Sequence, residues 1–157
     1  MDLILWRHAE AHPLREGESG YELDLARCLT SKGERQAQRM AQWLDQRLPE
    51  TTRILVSPAL RTQQTAQALQ RSFKTVPALH PPGSVEDLLA AARWPDSNEP
   101  VLVIGHQPTL GVAAARLLCG ADQPWSVKKA AVWWLRHRTR EGEVQVVLQA
   151  VQSAEFA

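Results

Sequence analysis

Three short apolar runs constrain the fold of this chain more than any other feature: LILW at residues 3–6, RILV at 53–56 and VLVIG at 101–105. Each is too short for a stable helix. None alternates with polar residues, as a strand with one wet face would. Uninterrupted apolar runs of this length fit strands buried on both faces, the situation in a parallel sheet covered by helices. The segments between them are longer and carry helical signals, so the pattern predicts an α/β fold with right-handed crossovers.

The intervening helices read as follows. Residues 30–48, TSKGERQAQRMAQWLDQRL, place Met40, Trp43, Leu44 and Leu48 on one stripe. Thr30 or Ser31 serves as N-cap, Ser31 and Glu34 have capping-box spacing, and Pro49 is the stop. Residues 59–73 form a second helix behind Ser57-Pro58. TVPAL at 75–79 is a weak strand that Pro77 confines to an edge. SVEDLLAAARW at 84–94 is a helix capped by Ser84, with Glu86 and Asp87 in the first turn where the dipole favours acids. PTLGVAAARLLCG at 108–120 is a helix closed by Gly120. AAVWWLRHR, a turn at TREGE and EVQVVLQAV form a C-terminal β-hairpin with Trp133 and Trp134 on opposite faces. Residues 9–29 lack periodicity, contain Pro13, Gly17 and Gly20, and read as a long loop after the first strand. The expectation is one domain over residues 1–157, a mostly parallel sheet with helices on both faces and an antiparallel hairpin at its end.

Charge excludes some functions. Lys+Arg of 18 against Asp+Glu of 17 leaves a net charge of +1, no footprint for nucleic acid or an anionic membrane. No run approaches the roughly 20 apolar residues of a membrane span. LILW is too short for a signal peptide, so a cytoplasmic protein is expected. Cys28 and Cys119 are far apart and in no CxxC pair, which argues against a disulfide framework or a structural zinc site.

The polar residues next to the strands carry the chemistry. Arg7 and His8 directly follow LILW, Arg61 lies in the first turn of the helix after RILV, and His106 directly follows VLVIG. Ligands of open α/β sheets bind outside the carboxyl ends of the strands. If these strands are parallel neighbours, two arginines and two histidines meet there. Permanent cations that converge need an anion, and guanidinium forks match the oxygens of a phosphoryl group. With no Walker A loop and no GxSxG elbow, the nucleophile available is a neutral imidazole, which forms a phosphohistidine that water resolves. Arginine supplies the positive charge, so no metal or other cofactor is expected. HAEAH at 8–12 is not HExxH, and the His-x-Glu of zinc deaminases lacks its Pro-Cys-x-x-Cys partner here. His12, His80 and His137 are expected to be ordinary surface or loop residues.

LWRHAEA resembles the Arg-His-Gly motif of the histidine phosphatase superfamily. SPALRTQQTA is similar to its Ser-Pro-x-x-Arg-(Ala/Cys)-x-Gln-Thr-Ala segment, VIGHQPTL to its Gly-His-x-Pro segment, and DLARCLTSKGERQA to its Arg-Pro-Leu-Thr-x-x-Gly stretch. Four ordered motifs span most of the chain, and its compact spacing is most similar to the SixA-type phosphohistidine phosphatases. The resemblance implies a phosphoglycerate-mutase-like α/β/α sandwich. It implies His8 as the phosphorylated nucleophile, with Arg7, Arg61 and His106 on the phosphoryl oxygens and Arg27 also facing the phosphate. Ala9 replaces the motif's Gly, which costs little unless φ is positive there, and Cys28 replaces its Pro.

Members of that superfamily acting on alkyl phosphates use a carboxylic acid to protonate the leaving group, and the candidates here are Glu86 and Asp87. A phosphohistidine needs less help, and the short chain leaves no room for a large cap. Both favour phosphohistidine on a folded signalling or phosphotransfer protein; the oligomeric state is left open, and a monomer is compatible with this reading. The alternatives are a broad small-molecule phosphomonoesterase and a non-catalytic phosphate-dependent binding module.

Overall fold

The computed structural model describes residues 1–157. Its strands are β1 (Asp2–Arg7), β2 (Arg53–Val56), β3 (Lys74–Thr75), β4 (Val101–Gly105), β5 (Val132–Arg140) and β6 (Glu143–Gln152). Its helices are α1 (Tyr21–Leu25), α2 (Ser31–Asp45), α3 (Leu60–Gln67), α4 (Val85–Ala92) and α5 (Thr109–Cys119). The strands form one sheet in the order β3-β2-β4-β1-β5-β6. β3, β2, β4 and β1 are parallel, and β5 and β6 join antiparallel beyond β1.

β1 shows why the apolar runs are uninterrupted. Ile4 and Trp6 face a core shared with Met40 and Leu44 of α2 and Ala66 of α3. Leu3 and Leu5 face the opposite core, with Leu88 of α4 and Leu110 and Ala114 of α5. Alternate residues of a strand point to opposite faces, and both faces here are covered. The result is the three-layer α/β/α sandwich. Trp134 and Trp133 divide between the same two cores.

Local signals decide the element ends. Thr30, not Ser31, caps α2: its Oγ1 accepts from the Gly33 N–H at 2.9 Å and its own O–H donates to Glu10 Oε2 at 2.8 Å. Ser84 caps α4 by accepting from the Asp87 N–H, and Gly120 ends α5 in the left-handed region. The β5–β6 turn closes on Glu141 and Gly142, both at positive φ, the geometry of a two-residue hairpin.

Three elements depart from expectation. The loop over residues 9–29 contains α1, which buries no residue and so leaves no apolar period in the sequence. α3 stops at Gln67, short of the predicted residue 73, with Gln70 at φ 55 turning the chain. TVPAL contributes only Thr75 to the edge strand, and Pro77–Leu79 forms a 3-10 turn.

Candidate active site

Strand register assembles the site. Arg7 pairs with Gly105 across β1 and β4, while Val56 of β2 and Trp6 of β1 both pair with Ile104. His8, His106 and Ser57 therefore leave three adjacent strands side by side at the carboxyl edge. The His8 N–H donates to the Gly105 carbonyl at 3.2 Å, and the Ser57 N–H to Ile104 at 3.1 Å. The imidazole rings of His8 and His106 lie 5.4 Å apart, centroid to centroid.

His8 is 7 % exposed. Its Nδ1 lies 2.7 Å from the Ala9 carbonyl oxygen. A carbonyl only accepts, so Nδ1 carries the hydrogen and Nε2 keeps its lone pair. Burial pushes His8 down to about 3; the Ala9 bond opposes this, and the Arg61, Arg7 and Arg27 charges add to it. The ring is neutral at ordinary pH. Ala9 is buried and has no positive φ, so the glycine of the family motif is not required for this backbone.

His106 is held at Nε2 by the Ser57 Oγ, 2.7 Å away. Burial, then His8 and Arg61, lower it to about 2. Arg61, 4 % exposed, reaches this edge from the first turn of α3. Arg7 donates from Nη1 to the Val127 carbonyl at 2.9 Å. Three buried nitrogens have no partner inside the protein: Arg7 Nε, Arg61 Nε and His106 Nδ1. Buried polar groups are rarely left unpaired; both arginine Nε atoms are free to donate to an external acceptor, and so is His106 Nδ1 in the tautomer whose Nε2 accepts from the Ser57 hydroxyl.

Arg27 approaches from the chain after α1, its Nε donating to the His12 carbonyl at 2.7 Å. Asp24 joins it to Arg61, 3.1 Å from each guanidinium. The structure thus brings all five sequence-predicted residues to one sheet edge. Three supporting residues escaped prediction. Ser57 orients His106. Thr65 Oγ1 accepts from the Ala9 N–H at 3.0 Å and donates to the Arg61 carbonyl at 2.8 Å, tying the His8 segment to α3. Asp24, the third, stands three residues before Arg27; that i, i+3 opposite-charge spacing was the available signal.

Other candidates fall away from the cluster. Glu86 is exposed and bound to Arg116 at 2.7 Å, which holds its carboxyl below the usual range. Asp87 is exposed on the same turn. Glu10 is bonded to Thr30, His12 is exposed, and no three His, Cys, Asp or Glu side chains stand together as a metal-ligand set. Both cysteines are free, and no helix is long and apolar enough to cross a membrane.

Comparison with known proteins assigns the family and the fold. Residues 3–83 match the model of the histidine phosphatase superfamily (branch 1). Phosphohistidine phosphatase SixA of Escherichia coli K12 is 35% identical over 122 residues, 71% of this chain and 75% of that protein. A SixA homolog of Haemophilus influenzae is 31% identical over 148 residues, 84% of this chain and 85% of that protein. A solved structure of the protein histidine phosphatase SixA complexed with tungstate superimposes with a TM-score of 0.73 at 28% identity, covering 98% of this chain and 97% of that one. The strand-end cluster, the sandwich and these likenesses coincide: the chain belongs to the histidine phosphatase superfamily, branch 1.

Proposed function

We propose that this protein is a phosphohistidine phosphatase in which His8 is the nucleophile and a phosphorylated histidine on a cytoplasmic phosphotransfer protein is the substrate. The observation that carries the reading is the free His8 Nε2, which belongs to a ring kept neutral by burial. Beside it stand Arg7, Arg61 and His106, each with an unpartnered buried nitrogen.

In this reading the substrate's phosphoryl group docks on the guanidinium groups. His8 Nε2 attacks phosphorus in line, the P–N bond to the substrate imidazole breaks, and that imidazole leaves with a proton from solvent. Arg7, Arg61 and His106 stabilise charge on the equatorial oxygens. Water then attacks phosphorus on His8, releasing inorganic phosphate and restoring the neutral ring. The whole chain, residues 1–157, acts as one domain.

Two features favour a phosphoramidate over an alkyl phosphate. Alkoxide is a poor leaving group and needs an acid, yet Glu86 is committed to Arg116. Moreover, the only helix in the connection between β1 and α2 is the five-residue α1, so that connection carries no large cap to hold a small molecule. The E. coli and H. influenzae relatives are both named as phosphohistidine phosphatases or their homologs.

The test is to mix the protein with a histidine-phosphorylated phosphotransfer protein, quench rapidly and locate acid-labile phosphate. Phosphate on His8, and loss of both label and turnover in His8→Ala, is the expected result. A fully active His8→Ala rejects the assignment.

A further inference from the structure

We propose that Asp24 is the positioning and charge-balancing residue of the phosphoryl pocket: it holds Arg61 by its terminal nitrogens and weakens the pocket's hold on the phosphate it produces. The inference rests on the phosphatase reading above and assigns a role to a residue outside the four strand-end groups.

The geometry is specific. Arg61 Nη1 donates to the Asp24 backbone carbonyl at 2.7 Å, and Nη2 donates to Asp24 Oδ2 at 3.1 Å. One residue therefore grips both terminal nitrogens, through main chain and side chain together. A guanidinium has five N–H donors in a rigid plane. With both ends gripped, the plane is fixed, and Nε is left buried without a partner. The grip does not use the donor that a phosphoryl oxygen would take, so Asp24 and phosphate can be bound to Arg61 together. The second carboxylate oxygen of Asp24, Oδ1, accepts from Arg27 Nη1 at 3.1 Å. A single carboxylate thus sets the separation of two of the three arginines.

Charge gives the second half of the argument. Arg7, Arg27 and Arg61 are permanent cations, and both histidines are neutral. Asp24 is the carboxylate that contacts this set. Three uncompensated guanidinium groups would attract a phosphate dianion strongly, and an enzyme gains nothing by binding its product as tightly as its transition state. One carboxylate within contact distance of two of them lowers that attraction without removing any donor aimed at phosphorus.

The experiment compares Asp24→Asn and Asp24→Glu with the unmodified chain, measuring inorganic phosphate binding by calorimetry and kcat and KM on a histidine-phosphorylated protein. Asp24→Asn keeps the size of the side chain and loses the charge. Its phosphate dissociation constant is expected to fall about tenfold, the scale of one charge at contact distance in a partly screened site. Its kcat should fall while KM does not rise, because Arg61 loses its charged side-chain partner and keeps only the main-chain carbonyl and a neutral amide oxygen, while phosphate is retained. Asp24→Glu keeps the charge on a longer arm; it should bind phosphate as the unmodified chain does yet turn over more slowly. Unchanged or weaker phosphate binding by a folded Asp24→Asn, or unchanged kcat in both variants, overturns the proposal. If Asp24→Asn does not fold, Asp24→Glu decides alone: wild-type kcat in that variant refutes the positioning role. Calorimetry needs no turnover, so it separates this inference from the phosphatase reading, which fails on its own if no phosphate is trapped on His8.

Discussion

The rings of His8 and His106 stand 5.4 Å apart because the residues before them, Arg7 and Gly105, are paired in register across β1 and β4. In the reaction proposed above, one phosphoryl group meets the edges of both rings, His8 from the attacking side and His106 on an oxygen. His106→Gln removes the imidazole but leaves His8 Nε2 in place. The expected result is a loss of about 10²–10³ in kcat, the scale of one charge-stabilising donor. Phosphate trapped on His8 should remain detectable after long incubation. An unimpaired His106→Gln would place that ring outside the reaction.

Burial of these two rings makes stability depend on pH. Their folded values, about 3 and about 2, lie below the ordinary 6.5. The unfolded chain therefore binds more protons than the folded one as pH falls below 6.5, and stability must fall with it. Above 6.5 both states are neutral and the effect vanishes. Between pH 6.5 and 4 the histidines dominate: Asp2 and Asp24, also lowered, act below the ordinary 3.8, and Glu86 and Glu155, lowered from 4.5, are exposed pairs that solvent screens. The urea midpoint of the unmodified protein should drop steadily over that window, and His106→Gln should flatten the slope. A flat profile from pH 7 to 4 would mean that the rings are accessible to protons in the fold.

Much of this site was legible in the chain because strand ends are legible. LILW and VLVIG are apolar without interruption, both faces of the sheet being covered, and the polar residues that follow them stand out by contrast. Asp24 was not legible in the same way. α1 buries nothing, so no period marks it, and its partner Arg61 is 37 residues away in sequence. Thr65 was hidden for another reason: on a helix facing the core, a threonine reads as packing until the Ala9 N–H is found against it. Thr30 rather than Ser31 became the cap because its hydroxyl also meets Glu10, a contact only the folded β1–α2 connection provides.

Thr65 offers a direct check on how the two halves of the site are joined. Thr65→Val keeps the shape and removes Oγ1, leaving the Ala9 N–H, on a residue with 0 % exposure, without an acceptor. The cost expected for one orphaned buried donor is about 1–3 kcal/mol. Activity should fall further than stability alone explains, since the same hydroxyl ties Ala9, next to His8, to the carbonyl of Arg61. Chemical denaturation and kcat measured on the same preparation separate the two effects. An unchanged denaturation midpoint would show that the Ala9 N–H finds another acceptor.

Gly33 gives the opposite kind of test, in which the folded contact must reverse a local preference. It lies in the first turn of α2, and alanine there should stabilise a helix by about 1 kcal/mol. A Cβ at this position, however, would collide with the Glu10 backbone carbonyl. That carbonyl cannot simply move aside, because it accepts from the Thr30 N–H at 3.0 Å and belongs to the segment leaving His8. Overpacking against fixed backbone costs about 1–3 kcal/mol, enough to cancel or exceed the helical gain. Gly33→Ala is therefore expected to be neutral to destabilising, and to lower kcat by displacing Glu10 and with it His8. A variant that is more stable by the full helical increment, with unchanged kcat, would show that α2 can slide away from the β1–α2 connection without disturbing the site.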